Sequence, residues 1–346
     1  MKPGVHPLGR VLMAASLALG RGLGAEDAAL ALRTQAIRLE PGWNAVCLEV
    51  YPSEAEPGRV FAGLPVDVVA SFYERPVAAQ YMTDPGANLF RKAGWGVWYA
   101  EDRPDAFLKS LHAIHGQQAY LVHATRGFVW EVTGAVVVPE VAWTPHAYNL
   151  VGFAVDALSP PTFAQFFDGS AAHRHNRIYR LTDGVWRRVT LPGAERMRSG
   201  EAFWIYCQGA SNYRGPLAVE TRTRQGVLVG QGAVPVTLRN RTSFPVVPVF
   251  EHVPGGGATV PLSLVVRALG EGQGEMRSVA VPRPEGAWSF ELPALEAGQS
   301  LQVPLEARTE SLTRPAQASV LRVRSEVGAE VWLPVFVIRP DLEEPR

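Results

Sequence analysis

A motif that occurs twice constrains the fold of this chain more than any other feature. Residues 42–50 read GWNAVCLEV, and about a hundred residues later residues 147–155 read AYNLVGFAV. Each copy is followed by a Phe-Ala dipeptide and closes on a glycine with an aromatic residue four positions later. In the first copy these are Phe61-Ala62, Gly116 and Tyr120, and in the second they are Phe163-Ala164, Gly200 and Trp204. A repeat predicts two related modules. The shared residues belong to turns and packing, so the repeat indicates architecture and says little about chemistry.

Short apolar runs alternate with Gly, Pro, Asn and Asp along most of the chain, and helical periodicity is scarce. This pattern predicts a mainly β protein, with short helices near residues 55–62 and 159–167. In the first module the predicted strands are residues 45–50, 96–99, 120–122 and 136–138. The predicted organisation is two tandem related β-rich modules followed by an immunoglobulin-like β-sandwich. The boundaries that we predict are module 1 at 32–137, module 2 at 138–222, the sandwich at 223–340 and a polar tail at 341–346.

The segment after residue 223 carries the signs of a sandwich. Strand candidates, among them residues 301–307 and 331–338, follow one another at close spacing, with Gly or Pro between them. Residues 321–324 read LRVR, the alternation expected of a strand with one buried face. Pro235, Pro248 and Pro304 interrupt strand candidates and indicate edges or bulges, because proline cannot donate a ladder hydrogen bond.

The N-terminus is typical of an export signal. Lys2 and Arg10 supply a positive segment before a short apolar run, residues 11–19, that is too short to span a bilayer. We predict a signal peptide at 1–31, with cleavage after residue 25 or 31, and hence a secreted, periplasmic or cell-surface protein. The alternative is an amphipathic or disordered N-terminal tail. No later apolar stretch reaches membrane-spanning length, so the mature chain is expected to lack a transmembrane segment.

The charge balance bounds the partners. The chain has 33 basic and 33 acidic residues, a formal net charge of +0. No whole-chain field therefore favours nucleic acid or an anionic membrane, and we expect no nucleic-acid partner. Apolar residues make up 47% and charged residues 19%, which argues for a folded globular chain.

The first copy resembles a repeat found in bacterial exported proteins. That repeat reads as a Gly-Trp-Asn-Leu strand, a Val-Trp-Tyr strand and a Gly-Tyr-Trp-Val strand. The residues that carry the resemblance are 42–46, the middle strand Val97-Trp98-Tyr99, and Gly116 with Tyr120. The second copy departs from it, with Ala147-Tyr148, a middle element at 177–179, and Phe203-Trp204. The resemblance covers residues 36–220 and implies a surface or secreted protein with immunoglobulin-like domains, and it transfers no catalytic residues.

The chain has two cysteines, Cys47 in the first strand of copy one and Cys207 in the last strand of copy two. Export permits a disulfide between them if the two copies pack together. The alternative is two buried thiols that act as small apolar side chains. Spacing alone does not decide between these, because a bridge needs specific geometry.

Two groups of residues are candidates for ligand binding. The stretch 173–198 is rich in arginine, with Tyr179, Trp186, Arg187 and Arg188 on a predicted hairpin, and could hold an anionic polysaccharide. Trp95 and Trp98 are candidates for an exposed platform that stacks on sugar rings. The competing interpretations are a solvated hairpin face for the arginines and core packing for the tryptophans.

Catalytic motifs are absent from the sequence. There is no G-x-S-x-G, no P-loop and no H-E-x-x-H. His112, His115 and His123 could surround a metal, but no carboxylate has an obvious place beside them, so we favour ordinary surface histidines. We therefore expect a non-enzymatic binding or structural protein, with no cofactor and with a glycan or surface protein as partner. The alternatives are a polysaccharide hydrolase with unmarked carboxylates and a self-assembling surface subunit.

Overall fold

The computed structural model describes residues 30–73, 94–230, 232–253, 259–268, 277–280 and 288–339. Residues 1–29 of the predicted signal peptide, the insertion at 74–92 that distinguishes copy one, and the polar tail lie outside these residues. The described chain is mainly β, as expected. None of the helices among these residues is long and apolar enough to cross a membrane.

Module 1 consists of two sheets. The three-stranded sheet has the order β1-β7-β3, and the four-stranded sheet has the order β2-β6-β4-β5. Their bounds, with one short helix, are β1 Leu32–Leu39, β2 Gly42–Leu48, β3 Tyr51–Pro52, α1 Pro57–Val60, β4 Val66–Phe72, β5 Trp95–Tyr99, β6 Gln118–Ala124 and β7 Phe128–Ala135. A 3₁₀ turn, Ala106–Leu108, lies between β5 and β6.

The core of module 1 lies between these two sheets. Side chains from β1 and β7, such as Ile37 and Trp130, meet side chains from the four-stranded sheet, such as Val69 and Tyr120. Phe61, the first residue of the first Phe-Ala dipeptide, ends α1 and packs on Trp130 with ring centroids 5.0 Å apart. The short helix therefore closes one side of this core.

Module 2 has one four-stranded sheet, in the order β8-β11-β9-β10. Its elements are β8 Ala147–Gly152, α2 Phe163–Phe167, a 3₁₀ turn Ala171–His173, β9 Ile178–Thr182, β10 Val185–Arg188 and β11 Ala202–Cys207. The α2 helix begins with a capping box, in which Thr162 and Gln165 satisfy each other's backbone N–H groups. Phe163 and Phe166 of this helix cover one face of the sheet.

The two four-stranded sheets pack face to face. Successive side chains of a strand point to opposite faces. Each sheet therefore has an inner face, which covers the core of its own module, and an outer face, which is directed toward the other module. The outer face of module 1 carries small residues such as Ala45, Ala70 and Ala119, and they meet Ala202 and Leu150 of module 2. The small side chains allow close approach, and Cys47 N donates to the Gly200 carbonyl at 2.9 Å across the contact.

The asparagine shared by the two copies closes a turn in each. Asn44 Oδ1 accepts from Glu40 N–H at 2.9 Å, and its Nδ2 donates to two carbonyls of the same turn. Asn149 makes the same kind of bonds to Thr144 and to Ala147 O. The recurring Asn therefore fixes the entry to β2 and to β8, which is a structural role.

The C-terminal part is a sandwich of two five-stranded sheets, with orders β12-β14-β19-β16-β17 and β13-β21-β20-β15-β18. The strands are β12 Leu217–Glu220, β13 Val227–Val229, β14 Val234–Asn240, β15 Pro248–Val253, β16 Leu262–Ala268, β17 Arg277–Ala280, β18 Trp288–Glu291, β19 Ser300–Ala307, β20 Ala316–Ser325 and β21 Glu330–Ile338, with a 3₁₀ turn Thr309–Ser311. Leu238, Leu305, Phe250 and Val335 share the core between the sheets. Within these orders, β12-β14-β19-β16 corresponds to the A-B-E-D sheet and β21-β20-β15 to the G-F-C sheet of an immunoglobulin-like fold, and β17, β13 and β18 extend the sheets at their edges.

The first strand of this sandwich begins before the predicted boundary at residue 223. Strand β12 at Leu217–Glu220 pairs with β14 of the sandwich and with no strand of module 2. The sheet therefore recruits a segment that the sequence assigned to module 2. Its neighbour Gly215, at φ 153°, lies beside Phe166 of the α2 helix and joins the two units.

A charged junction joins all three units. Arg33 of β1 forms an ion pair with the buried Glu49, and its guanidinium lies 4.3 Å from the ring centroid of Trp332 in β21. Arg322 of β20 also faces Trp332, at 5.4 Å, and pairs with Asp156 of module 2 at 3.5 Å. These contacts connect each module with the sandwich through the β20 and β21 strands.

Candidate functional site

The outer face of the module 2 sheet extends beyond its contact with module 1. Five residues at that end form a surface that we call the tyrosine–arginine face: Tyr148 on β8, Tyr179 on β9, Tyr206 on β11, Arg188 on β10 and Arg177 just before β9. The register places Tyr148 opposite Tyr206, and Tyr179 opposite both Trp204 and Arg188. The three tyrosines are half-buried and the two arginines are exposed.

The rings of this face contact one another edge to face. The Tyr148 ring centroid lies 5.6 Å from that of Tyr179 and 5.2 Å from that of Tyr206, with interplanar angles of 81° and 66°. The guanidinium carbon of Arg177 lies 5.1 Å from the Tyr206 centroid. Such a cation over an aromatic ring is attractive and holds the charge in place. The face therefore combines flat rings with a positioned cation.

No acidic side chain in the described part of the chain pairs with the arginines of this face. Burial raises the pKa of Tyr148, the neighbouring Tyr179 raises it further, and the charges of Arg177 and Arg188 partly oppose the shift. Both guanidinium groups thus act on the centre of the tyrosine cluster. Among the described residues neither of them forms an ion pair, in contrast to Arg180, which is bound to Glu201. An anionic group has two open partners here.

The predicted site residues divide between this face and other places. Tyr179 and Arg188 lie together on the tyrosine–arginine face. Arg187 projects from the opposite side of the sheet, because it stands opposite Arg180, whose guanidinium lies over the core ring of Phe203. The structure therefore separates Arg187 from Arg188, although they are adjacent in the sequence and both exposed.

The predicted tryptophans do not form an exposed platform. Trp98 is 6% exposed and packs on Phe61 in the core of module 1, so it is unavailable to a ligand in this fold. Trp95 and Trp186 are half-buried and both pack against the fully buried Trp204 between the modules. They lie beside the tyrosine–arginine face, with Trp186 on the same side of the module 2 sheet, and bury apolar area where the two modules meet.

The registers also correct the alignment of the two copies. Val122 stands opposite Asn44 and Ile205 opposite Asn149, so Tyr120 corresponds to Phe203 and not to Trp204. The sequence alignment was therefore off by one residue at this strand. When the strand pairings are followed in the same way to the edge strand of each sheet, Trp95 in β5 and Trp186 in β10 occupy equivalent positions. The Val-Trp-Tyr strand β5 is thus matched by β10, and the sequence match to residues 177–179 was wrong.

The two cysteines are free and buried. Cys47 lies beside the end of β11 at which Val46 forms a bridge with Glu201. Cys207 is at the other end of β11, about 20 Å away at a rise of about 3.3 Å per residue. A disulfide needs Cα atoms within about 7 Å, so the alternative of two buried thiols holds in this fold. Burial raises the pKa of the Cys47 thiol to about 12.

The histidines do not gather around a metal. Among the described residues no group of three or more His, Cys, Asp or Glu side chains is placed to hold an ion. His123 instead binds Asp67, with Nδ1 and Oδ1 2.5 Å apart. His173 is buried in module 2, where its Nδ1 lies 2.6 Å from the Ser170 hydroxyl. Burial lowers the pKa of His173 to about 4, so it is neutral at pH 7.

Sequence reasoning missed two members of the tyrosine–arginine face, Tyr148 and Tyr206, and included Arg177 only as one residue of the arginine-rich stretch 173–198. The aromatic residue before Asn149 was visible, and its equivalence to Trp43 assigned it to packing. The signal that would have identified the face is the alternation of Tyr206 with the apolar residues Ile205 and Cys207, which assigns it to the outer face once the strand is oriented.

Comparison with known proteins gives no family. No protein-family model and no curated protein matches the chain. Among solved structures, similarity is found to the YadV chaperone, with 14% identity, a TM-score of 0.23, and coverage of 38% of this chain and 55% of that one. The periplasmic chaperone SfaE matches with 8% identity, a TM-score of 0.24, and coverage of 37% and 59%. The chain thus matches little more than half the length of these chaperones.

A longer match is the secreted serine protease VesC from Vibrio cholerae, with 11% identity, a TM-score of 0.25, and coverage of 88% of this chain and 71% of that one. At such TM-scores none of these similarities carries a functional argument.

Proposed function

We propose that this chain is an exported, non-enzymatic binding protein that holds an anionic glycan on its tyrosine–arginine face. The observation that carries the proposal is a pair of guanidinium groups with no ion-pair partner among the described residues, Arg177 over the Tyr206 ring and Arg188 opposite Tyr179, beside three clustered tyrosine rings. The rings offer flat apolar surfaces to the C–H faces of a sugar ring, and the guanidinium groups offer forked donors to a carboxylate or sulfate.

The placement of buried carboxylates favours binding over hydrolysis. A glycoside hydrolase needs two carboxyl groups that face a common substrate. Burial raises the pKa of Glu49 and of Glu201, but each is paired with an arginine, Arg33 and Arg180 respectively. Each carboxylate therefore already has an arginine partner, Glu201 within module 2 and Glu49 beside the junction with the sandwich.

The sandwich serves as a rigid support in this proposal. Val155 of module 2 forms a bridge with Ala329 in the turn between β20 and β21, and Glu330 N donates to the Ala154 carbonyl at 3.1 Å. A Cβ atom on Gly169 would lie 1.5 Å from the Arg241 carbonyl oxygen, so module 2 contacts the sandwich closely there as well. The sandwich thus holds module 2 with its outer face in a fixed orientation.

The test is binding of the full chain to a panel of immobilised polysaccharides that includes heparin, alginate and polygalacturonate. We expect retention on at least one anionic polysaccharide, and loss of retention when Arg177 and Arg188 are both replaced by alanine. Added salt should weaken binding, because it shortens the distance over which exposed charges attract each other, about 8 Å at physiological ionic strength. Retention that survives the double substitution, or no retention on any anionic polymer, would contradict the proposal.

A further inference from the structure

The module 1 sheet carries a transverse row of side chains at the position equivalent to the tyrosine–arginine face. The registers place Trp43 opposite His123, His123 opposite Val68, and Val68 opposite Tyr99. The row therefore crosses β2, β6, β4 and β5, a span of about 14 Å at about 4.8 Å per strand spacing. Trp43 and Tyr99 are half-buried at its two ends.

A β-bulge brings a carboxylate into the middle of this row. The register between β4 and β6 shifts between Val66 and Val68, which leaves Asp67 as the extra residue. Bulges redirect side chains and often occur beside binding sites. Here Asp67 Oδ1 meets His123 Nδ1 at 2.5 Å, and Asp67 Oδ2 accepts from Arg103 at 2.8 Å. Arg103 also binds Asp105 through two hydrogen bonds.

Hydrogen-bonding capacity remains on these groups. When the His123 Nδ1–H donates to Asp67, the Nε2 atom is left for an outside partner, and among the described residues none bonds to it. Three of the five N–H groups of Arg103 are used by the two aspartates, so two donors remain. The side chains are accessible, with 33% of His123 and 34% of Arg103 exposed.

The charges in the row are already paired, in contrast to those of module 2. Both oxygens of Asp67 are occupied, and Arg103 is shared between two carboxylates. An ion of either sign would have to displace a formed pair, whereas a hydroxyl group can use the remaining donors and acceptor without doing so. Trp43, with its ring centroid 5.0 Å from that of His123, and Tyr99, with its centroid 5.7 Å from the Arg103 guanidinium carbon, flank these groups, and both rings also pack in part on the cluster between the modules.

We propose that this row binds a neutral oligosaccharide that lies across the strands. Sugar C–H faces contact Trp43 and Tyr99, and hydroxyl groups donate to His123 Nε2 and accept from Arg103. The Asp67 carboxylate is a positioning group, because it fixes the imidazole and the guanidinium. The site is independent of the tyrosine–arginine face and takes a different class of ligand from an equivalent position of the other module.

The test uses the full chain and three neutral saccharides, namely dextran, mannan and fully N-acetylated chitin oligomers. Affinity electrophoresis or titration calorimetry measures binding. We expect binding to at least one of them, weakened at least about tenfold by His123→Ala and by Tyr99→Ala. His123→Gln, which keeps a donor toward Asp67, should fold as the wild type does and still bind more weakly.

Two matched variants separate this site from other causes. His112→Ala removes an exposed imidazole from the same module outside the row and should leave binding unchanged. Arg188→Ala should also leave neutral binding unchanged, since it belongs to the other face. The proposal is overturned if none of the three saccharides binds, if both folded His123 variants bind as the wild type does, or if His112→Ala weakens binding equally.

Discussion

Lowering the pH should destabilise module 2 through His173. This side chain is 2% exposed, and its ring lies 4.2 Å from Trp143, centroid to centroid. Burial lowers its pKa from 6.5 to about 4, so the folded chain keeps it neutral while the unfolded chain binds a proton below pH 6.5. The stability contributed by His173 is complete above pH 6.5 and is lost as the pH falls toward 4.

The size of the effect follows from the two pKa values. A difference of about 2.5 units corresponds to about 3.4 kcal/mol in full, and to about 2 kcal/mol at pH 5, at about 1.36 kcal/mol per unit. Urea unfolding at pH 7 and pH 5 measures it as the difference between wild type and His173→Gln, which cancels the other titrating groups. His175→Gln removes an exposed imidazole two positions away and is the matched control.

The wild type should lose about 2 kcal/mol more than His173→Gln between these pH values, and His175→Gln should behave as the wild type. Equal losses in wild type and His173→Gln would refute the reasoning, because they would mean that His173 takes up its proton in the folded state at its ordinary pKa.

Three further predictions concern the contacts between units. Trp204→Ala should cost about 3–5 kcal/mol in urea unfolding, because a fully buried side chain between the modules is replaced by a cavity; a loss below about 1 kcal/mol would contradict that packing. Arg33→Ala should cost about 3–5 kcal/mol, since it leaves Glu49 buried and unpaired, whereas Arg38→Ala on the exposed side of the same strand should have no measurable effect. Cys47 should resist a thiol reagent at pH 8 until the chain unfolds, because it is buried with a pKa near 12; rapid labelling of the folded chain would exclude this.

Strands were predictable where one face is buried and the other is exposed to solvent, because apolar and polar residues then alternate. The candidates in the sandwich, such as residues 301–307 and 331–338, match β19 and β21 closely. Strand β1 was missed because Gln35 takes a core position in it. Its amide bonds to the backbone at Cys47 O and Glu49 N, so a polar residue occupies the place where an apolar one is expected. Strand β4 was missed because both of its faces are covered and alternation is absent.

The candidate site was less predictable, because it depends on strand register. Tyr179 and Arg188 could be named from composition, but their separation from Arg187 follows only from the pairing of β9 and β10. A shift of one residue exchanges the two faces of a strand, and the alignment of Tyr120 with Trp204 contained such a shift. Tyr148 and Tyr206 meet across two strands far apart in sequence, so their cluster has no local signal.

The most direct test of the proposed anionic site compares two adjacent arginines. Arg187 and Arg188 are both exposed on β10, carry the same charge and face opposite sides of one sheet. Dissociation constants for the best-bound anionic polysaccharide should be measured for Arg187→Ala, Arg188→Ala and the wild type. We predict that Arg188→Ala weakens binding at least about tenfold, as loss of a charge-assisted contact of about 1.5–3 kcal/mol requires, while Arg187→Ala stays close to the wild type. Equal losses in both variants would show that only net charge matters and would contradict the assignment of the site to this face.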